Sequence, residues 1–207
     1  MDIQNHITLR HEFLNPIADT ALFYPCCGSD LLIPIELFAS VITDFYFIDI
    51  KQPPPPKLDH IADYQTKSRL NSDTIYNFLH RESMHKFRLH CWKQRGEDAL
   101  SKLPKLGVFF YRGDNPVDGE GSSGVLWLGG GLFSQVLSLL VSSGLVVTDG
   151  SNCDSSGPTH LSDFYQNREI RDQAMKKAVP FDYLDRKFTC VGYAGEKYGP
   201  TLVWQVT

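Results

Sequence analysis

Thr20-Ala21-Leu22-Phe23-Tyr24-Pro25-Cys26-Cys27-Gly28-Ser29-Asp30 is the stretch on which the fold turns. Residues 20–24 form a short apolar run, Pro25 stops it, and Cys26 to Asp30 have the composition of a tight turn. The next eleven residues, LLIPIELFASV (31–41), have helical length. Their proline, Pro34, falls in the first turn, where a missing N–H costs little. Strand, turn and helix make the first half of a βαβ unit. Residues 44–50 (DFYFIDI) are aromatic and β-branched and supply the second strand.

The alternation continues outward from this unit. The four prolines 53–56 require an extended surface connection. Residues 64–83 are read as a helix, 87–93 as a third strand, 97–103 as a short helix and 106–112 as a fourth strand. Residues 113–124 are rich in glycine, serine and acids and cannot pack as a regular element. A helix over 132–141 is expected to end at Gly144 as its C-cap. A fifth strand at 145–149, a loop at 150–158 and a helix over 160–177 follow. Two last strands, 188–193 and 201–206, are joined by a tight turn at 195–200. So short a link permits only antiparallel pairing. The expectation is an α/β three-layer sandwich with a mainly parallel seven-stranded sheet and a C-terminal antiparallel hairpin. One domain spans 1–207, with 1–19 as an N-terminal extension.

Composition bounds the function. The 207 residues are 42% apolar and 21% charged, an ordinary balance for a globular protein. A net charge of −4 gives no electrostatic reason to bind nucleic acid, and the basic stretch from His80 to Arg95 reads as a helix end and strand edge. The five cysteines (26, 27, 91, 153 and 190) are odd in number and form no CxxC pair, which argues against a disulfide framework or structural zinc. The N-terminal residues are too polar for a secretory signal, and the longest apolar stretch, 125–147, is interrupted by four glycines. A soluble, cytoplasmic protein with no membrane partner is expected.

The turn Tyr24-Pro25-Cys26-Cys27-Gly28-Ser29-Asp30 resembles the D-P-F-C-G-S-G turn of some class I, Rossmann-like methyltransferases that use S-adenosylmethionine. Pro25, Cys27, Gly28 and Ser29 match, while Tyr24 replaces the first acid and Asp30 the last glycine. Five wound units followed by a hairpin is also the element order of that superfamily. The resemblance implies that the turn holds the methionine part of S-adenosylmethionine, with Gly28 letting the backbone approach it. Asp30 either caps the helix or accepts a hydrogen bond from the cofactor's ammonium. Asp49, ending the second strand about 20 residues past the turn, stands where such folds bind ribose hydroxyls; otherwise it caps a loop. Gly96-Glu97-Asp98-Ala99 is similar to the segment whose acid reads the adenine amino group, which makes Asp98 a candidate as well as a natural first-turn helix acid. The implied cofactor set is Tyr24, Pro25, Cys26, Gly28, Asp30, Asp49 and Asp98.

The resemblance also places the transferring methyl group under the loop after the fourth strand. Asp114 and Asn115 are the candidate catalytic residues there. Asn115-Pro116 is similar to the start of an N-P-P-Y motif, but Val117 and Asp118 replace its second proline and aromatic, so methylation of a base or glutamine is not supported. Asp114, Asp118 and Glu120 have donor chemistry for Mg²⁺ or Ca²⁺ without an EF-hand pattern, and no metal site is assigned. Asp149 and Asn152 face the substrate side after the fifth strand. Cys26-Cys27 reads either as a thiol activated at a helix N-terminus or as two small buried residues. Two functions remain: a methyltransferase acting on a small or medium acceptor, and a methyltransferase-like binding or protein-interaction module without turnover.

Overall fold

The computed structural model describes residues 9–71, 73–112, 127–149, 158–161, 178–196 and 199–207. A short helix α1 (His11–Leu14) precedes β1 (Ala21–Pro25), α2 (Leu32–Phe38) and β2 (Asp44–Asp49). Then come β3 (Ala62–Leu70), β4 (Asp73–His80), β5 (Lys86–Lys93), α3 (Gly96–Ala99) and β6 (Leu106–Tyr111). The chain closes with α4 (Gly130–Leu139), β7 (Leu140–Thr148), β8 (Phe181–Tyr183), β9 (Arg186–Glu196) and β10 (Gly199–Val206).

All ten strands join one sheet in the order β3-β4-β5-β2-β1-β6-β7-β10-β9-β8. The centre is parallel: β5, β2, β1, β6 and β7 run the same way through four parallel pairings. In chain order these five lie 3-2-1-4-5, so the winding reverses between β1 and β6, and the crevice of such a sheet opens there at the carboxyl ends. Five antiparallel pairings extend the sheet on both sides. The expected seven-stranded, mainly parallel sheet is therefore corrected to a mixed, ten-stranded one. The expected C-terminal hairpin is present as β9 and β10.

Residue alternation along the central strands builds two cores. Leu22, Tyr24, Phe45, Phe47, Val108, Phe110 and Val147 pack on one face with Ile35 and Phe38 of α2. Ala21, Phe23, Ile48, Phe109, Tyr111 and Val146 pack on the other with Ala99 of α3 and with Phe133 and Val136 of α4. Strand β6 is buried at every position, as a central strand covered on both faces must be, so it reads as a continuous apolar run.

The largest correction lies between β2 and β5. Residues 64–83 form no helix; β3 and β4 are an antiparallel hairpin that turns at Asn71, whose φ of +55° is a conformation asparagine tolerates. Thr74, Tyr76 and Phe78 are buried and alternate with half-buried Ile75 and Asn77, the period of a strand. Gly144 is no C-cap either. Helix α4 passes directly into β7 through Leu140, and Gly144 lies inside that strand, where an added Cβ would meet the Leu140 side chain.

The tight turn from β4 to β5 is closed by hydrogen bonds from His80 N–H to the His85 carbonyl and from Met84 N–H to the His80 carbonyl, both at 2.9 Å. It stands at the amino end of β5, opposite the crevice. The basic residues of the stretch from His80 to Arg95 are partly neutralised: Arg81 pairs with Asp63, Arg88 and His90 with Asp44, and Arg95 with Glu97.

Candidate functional site

The rim at the carboxyl ends of β1 and β2, beside the point where the winding reverses, is shaped by an unusual turn. Cys26 and Gly28 both have left-handed backbone, with φ of +53° and +52°. Gly28 meets no Cβ penalty there, whereas Cys26 is strained. The curl brings the Gly28 N–H to Asp49, whose Oδ2 accepts it at 3.0 Å. Asp49 Oδ1 accepts the Lys51 N–H at 2.9 Å. Gly28 and Asp49 thus form one continuous lip, and Gly28 is exposed with open space where a side chain would stand. Each Asp49 oxygen retains a second lone pair for another donor.

Tyr24 and Asp30 sit deeper. Tyr24 is buried, and its phenol donates to Asp30 Oδ2 at 3.1 Å. Arg112, the first residue past β6, brings Nη1 to 3.9 Å from the same oxygen, so the pair spans the point where strand winding reverses. Burial pushes the Asp30 carboxyl above its ordinary value, Arg112 and the Tyr24 hydrogen bond oppose this, and the charge of Asp149 adds to it. The Tyr24 phenol is pushed well up, by burial first and by Asp30 next. Asp149, buried just past β7, therefore belongs to the same charged group.

Pro25 and Gly96 close the inner wall. An added Cβ on Gly96 would lie 2.5 Å from the Trp127 ring and 3.1 Å from Pro25 Cβ, so only glycine lets the α3 segment approach this closely. Asp98, two residues further on, is exposed in the first turn of α3. Asp114 and Asn115, with the whole acidic loop and Asn152, lie outside the described residues. Among the described residues no group of three or more histidine, cysteine or acidic side chains is arranged to hold a metal ion.

The cysteine alternatives separate in part. Cys27 is buried, and burial, followed by the charge of Asp49, pushes its thiol far above the ordinary range. Burial of this kind disfavours the thiolate that a nucleophile requires. Cys26 is half-buried.

Of the expected residues, the structure gathers Tyr24, Pro25, Cys26, Gly28, Asp30 and Asp49 at one end of the sheet. Sequence reading missed Arg112. Its signal was a lone guanidinium directly after a fully apolar strand, at the end where such sheets bind ligands. No helix among the described residues is long and apolar enough to cross a membrane.

Comparison with known proteins gives little to set beside this geometry. No family model and no curated protein matches the chain. Among solved structures, the chain is similar to precorrin-6y C5,15-methyltransferase from Geobacter metallireducens GS-15, at 13% identity over 95% of this chain and 84% of that one, with a TM-score of 0.41.

Proposed function

We propose that the chain is an S-adenosylmethionine-dependent methyltransferase acting on a small or medium acceptor. The observation that carries this reading is the contact between Gly28 and Asp49, which joins the first turn and the end of β2 into one lip. A nucleoside laid along that lip meets open backbone at Gly28 and a carboxylate with lone pairs left for vicinal hydroxyls. Tyr24, Pro25, Cys26 and Asp30 then line the methionine end, and Asp98 stands at the adenine end. Asp114 and Asn115 are assigned to the acceptor side. Catalysis in this arrangement comes from holding sulfonium and acceptor in line.

A second reading is favoured by one specific observation: both Asp49 oxygens are already engaged by backbone N–H groups, so the carboxylate has a structural task of its own. In that reading the chain is a binding or interaction module without turnover. Thermal unfolding with S-adenosylmethionine or S-adenosylhomocysteine tests the cofactor site. At a hundredfold excess over Kd, binding stabilises by about 2.7 kcal/mol. No shift with either ligand overturns the methyltransferase reading. A shift without formation of S-adenosylhomocysteine in the presence of acceptors favours the second.

A further inference from the structure

Strand β3 ends the sheet and has β4 alone beside it. In an antiparallel ladder alternate residues turn both N–H and C=O away from the partner strand. Among the described residues, the outward backbone groups of Thr66–Leu70 meet no other element. An open edge of this kind is a template for a further strand. The register shifts between Tyr64 and Thr66, so a bulge at Gln65 bounds the regular edge on one side.

The side chains on this edge are sorted by face. The register sets Tyr64 opposite Phe78, Lys67 opposite Tyr76 and Arg69 opposite Thr74. Lys67 Nζ lies 5.3 Å from the Tyr76 ring centroid, and Tyr64 meets Phe78 edge-on at 5.7 Å. Tyr76 and Phe78 belong to the α2 core, so Lys67 and Arg69 stand two residues apart on that same face. Both are exposed, and among the described residues neither pairs with a carboxylate. Side chains opposite each other on neighbouring strands interact, attracting when their charges differ and repelling when they match.

That rule selects the occupant. Two-fold antiparallel pairing with a second copy about Ser68 sets Lys67 against Arg69 twice. Pairing about Lys67 or Arg69 sets each against its own kind. An incoming strand with acids at alternate positions meets both cations at once. We propose that Thr66–Leu70 takes up an extended acidic segment of a partner protein as an added strand. Main-chain hydrogen bonds hold it, and Lys67 and Arg69 read its alternate carboxylates. Strands β4, β5 and β2 lie between this edge and β1, so the proposal stands apart from the cofactor reading.

The test is fluorescence anisotropy on the full chain with a fluorescein-labelled hexapeptide of alternating glutamate and valine. Its controls are the alternating lysine–valine peptide and the glutamate–valine peptide N-methylated at every backbone nitrogen. The expected result is saturable binding of the acidic peptide and none of either control. Lys67→Glu with Arg69→Glu should weaken the acidic peptide about tenfold or more, and the double variant should bind the lysine–valine peptide instead. That exchange of preference requires a folded edge, so loss of structure does not imitate it. No binding of the acidic peptide, equal binding of its N-methylated form, or no exchange in the double variant overturns the proposal. Self-association of the parent chain that excludes the acidic peptide assigns the edge to a second copy, and overturns it equally.

Discussion

The Trp127 indole lies directly over the Gly96 α-carbon, so that a methyl group there would fall 2.5 Å from the ring. Trp127 is fully buried and meets Phe23 edge-on at a centroid distance of 5.4 Å, so it has no room to retreat. Gly96→Ala is expected to cost about 1–3 kcal/mol through overpacking, measured by urea unfolding followed by tryptophan fluorescence. Gly28→Ala meets open space and pays only for its left-handed backbone, about 1 kcal/mol, and Gly28→Asn should cost less. Equal losses at positions 96 and 28 would contradict this account of the inner wall.

Asp49 carries both a structural and a ligand-binding assignment, and the two separate by substitution. Asp49→Ala leaves the Gly28 and Lys51 N–H groups without their acceptors and should cost about 1–2 kcal/mol. Asp49→Asn keeps one carbonyl oxygen and most of that stability. Under the proposed function both variants lose the thermal shift with S-adenosylhomocysteine. Retention of the full shift in Asp49→Ala would remove the residue from the ligand site.

Stability at low pH should depend on Asp44. Burial alone would raise its carboxyl, but hydrogen bonds from His90 and Arg88, each at 2.7 Å, outweigh that and hold it below the ordinary carboxylate value. A carboxylate lowered in the folded state stabilises above its unfolded pKa of about 3.9, and that contribution fades as pH falls through the folded value. Urea midpoints between pH 6 and pH 2 should fall less steeply in Asp44→Asn than in the parent. Parallel curves would assign no such linkage to Asp44.

Asp30 has the opposite sign. Its carboxyl is raised in the folded state, so its contribution is greatest below the unfolded value of about 3.9 and declines as pH rises through the folded one. At neutral pH its charge is held at some cost, as at sites kept for binding rather than stability. Asp30→Asn should therefore leave the melting temperature at pH 7 unchanged or raised while weakening ligand binding. A clear loss of stability at pH 7 would refute this.

Thiol labelling should follow burial. Burial pushes the Cys91 thiol up to about 12 and the Cys190 thiol up to about 11, and Cys27 higher still. Iodoacetamide at pH 8 should leave these three unmodified in the native chain and modify all of them in urea, as read by mass spectrometry of peptides. Rapid native labelling of Cys27 would reopen the nucleophile reading.

The parallel centre was legible in the sequence because strands buried on both faces show as unbroken apolar runs, as in residues 106–111. The β3–β4 hairpin was not. Eight of the nine β3 residues are exposed, so no periodicity marks that strand, and β4 carries apolar residues on both faces. The break was signalled by Asn71-Ser72-Asp73 alone, a run of turn-forming residues. The Ser142-Ser143-Gly144 segment reads as a helix stop because it is small and polar, yet β7 runs through it. The candidate site was legible as far as Gly28 and Asp49, whose residue types suit a left-handed turn and a carboxylate that accepts two backbone N–H groups. Arg112 escaped because only the fold shows that it reaches Asp30 across the sheet.

The turn at Met84 offers a practical handle. Met84 is 64% exposed, at the end of the sheet away from the crevice. A fluorophore or surface tether attached there would hold the protein with the carboxyl ends of its parallel strands turned toward the solution, so an immobilised sample could be screened for the proposed ligands without the attachment shading that rim.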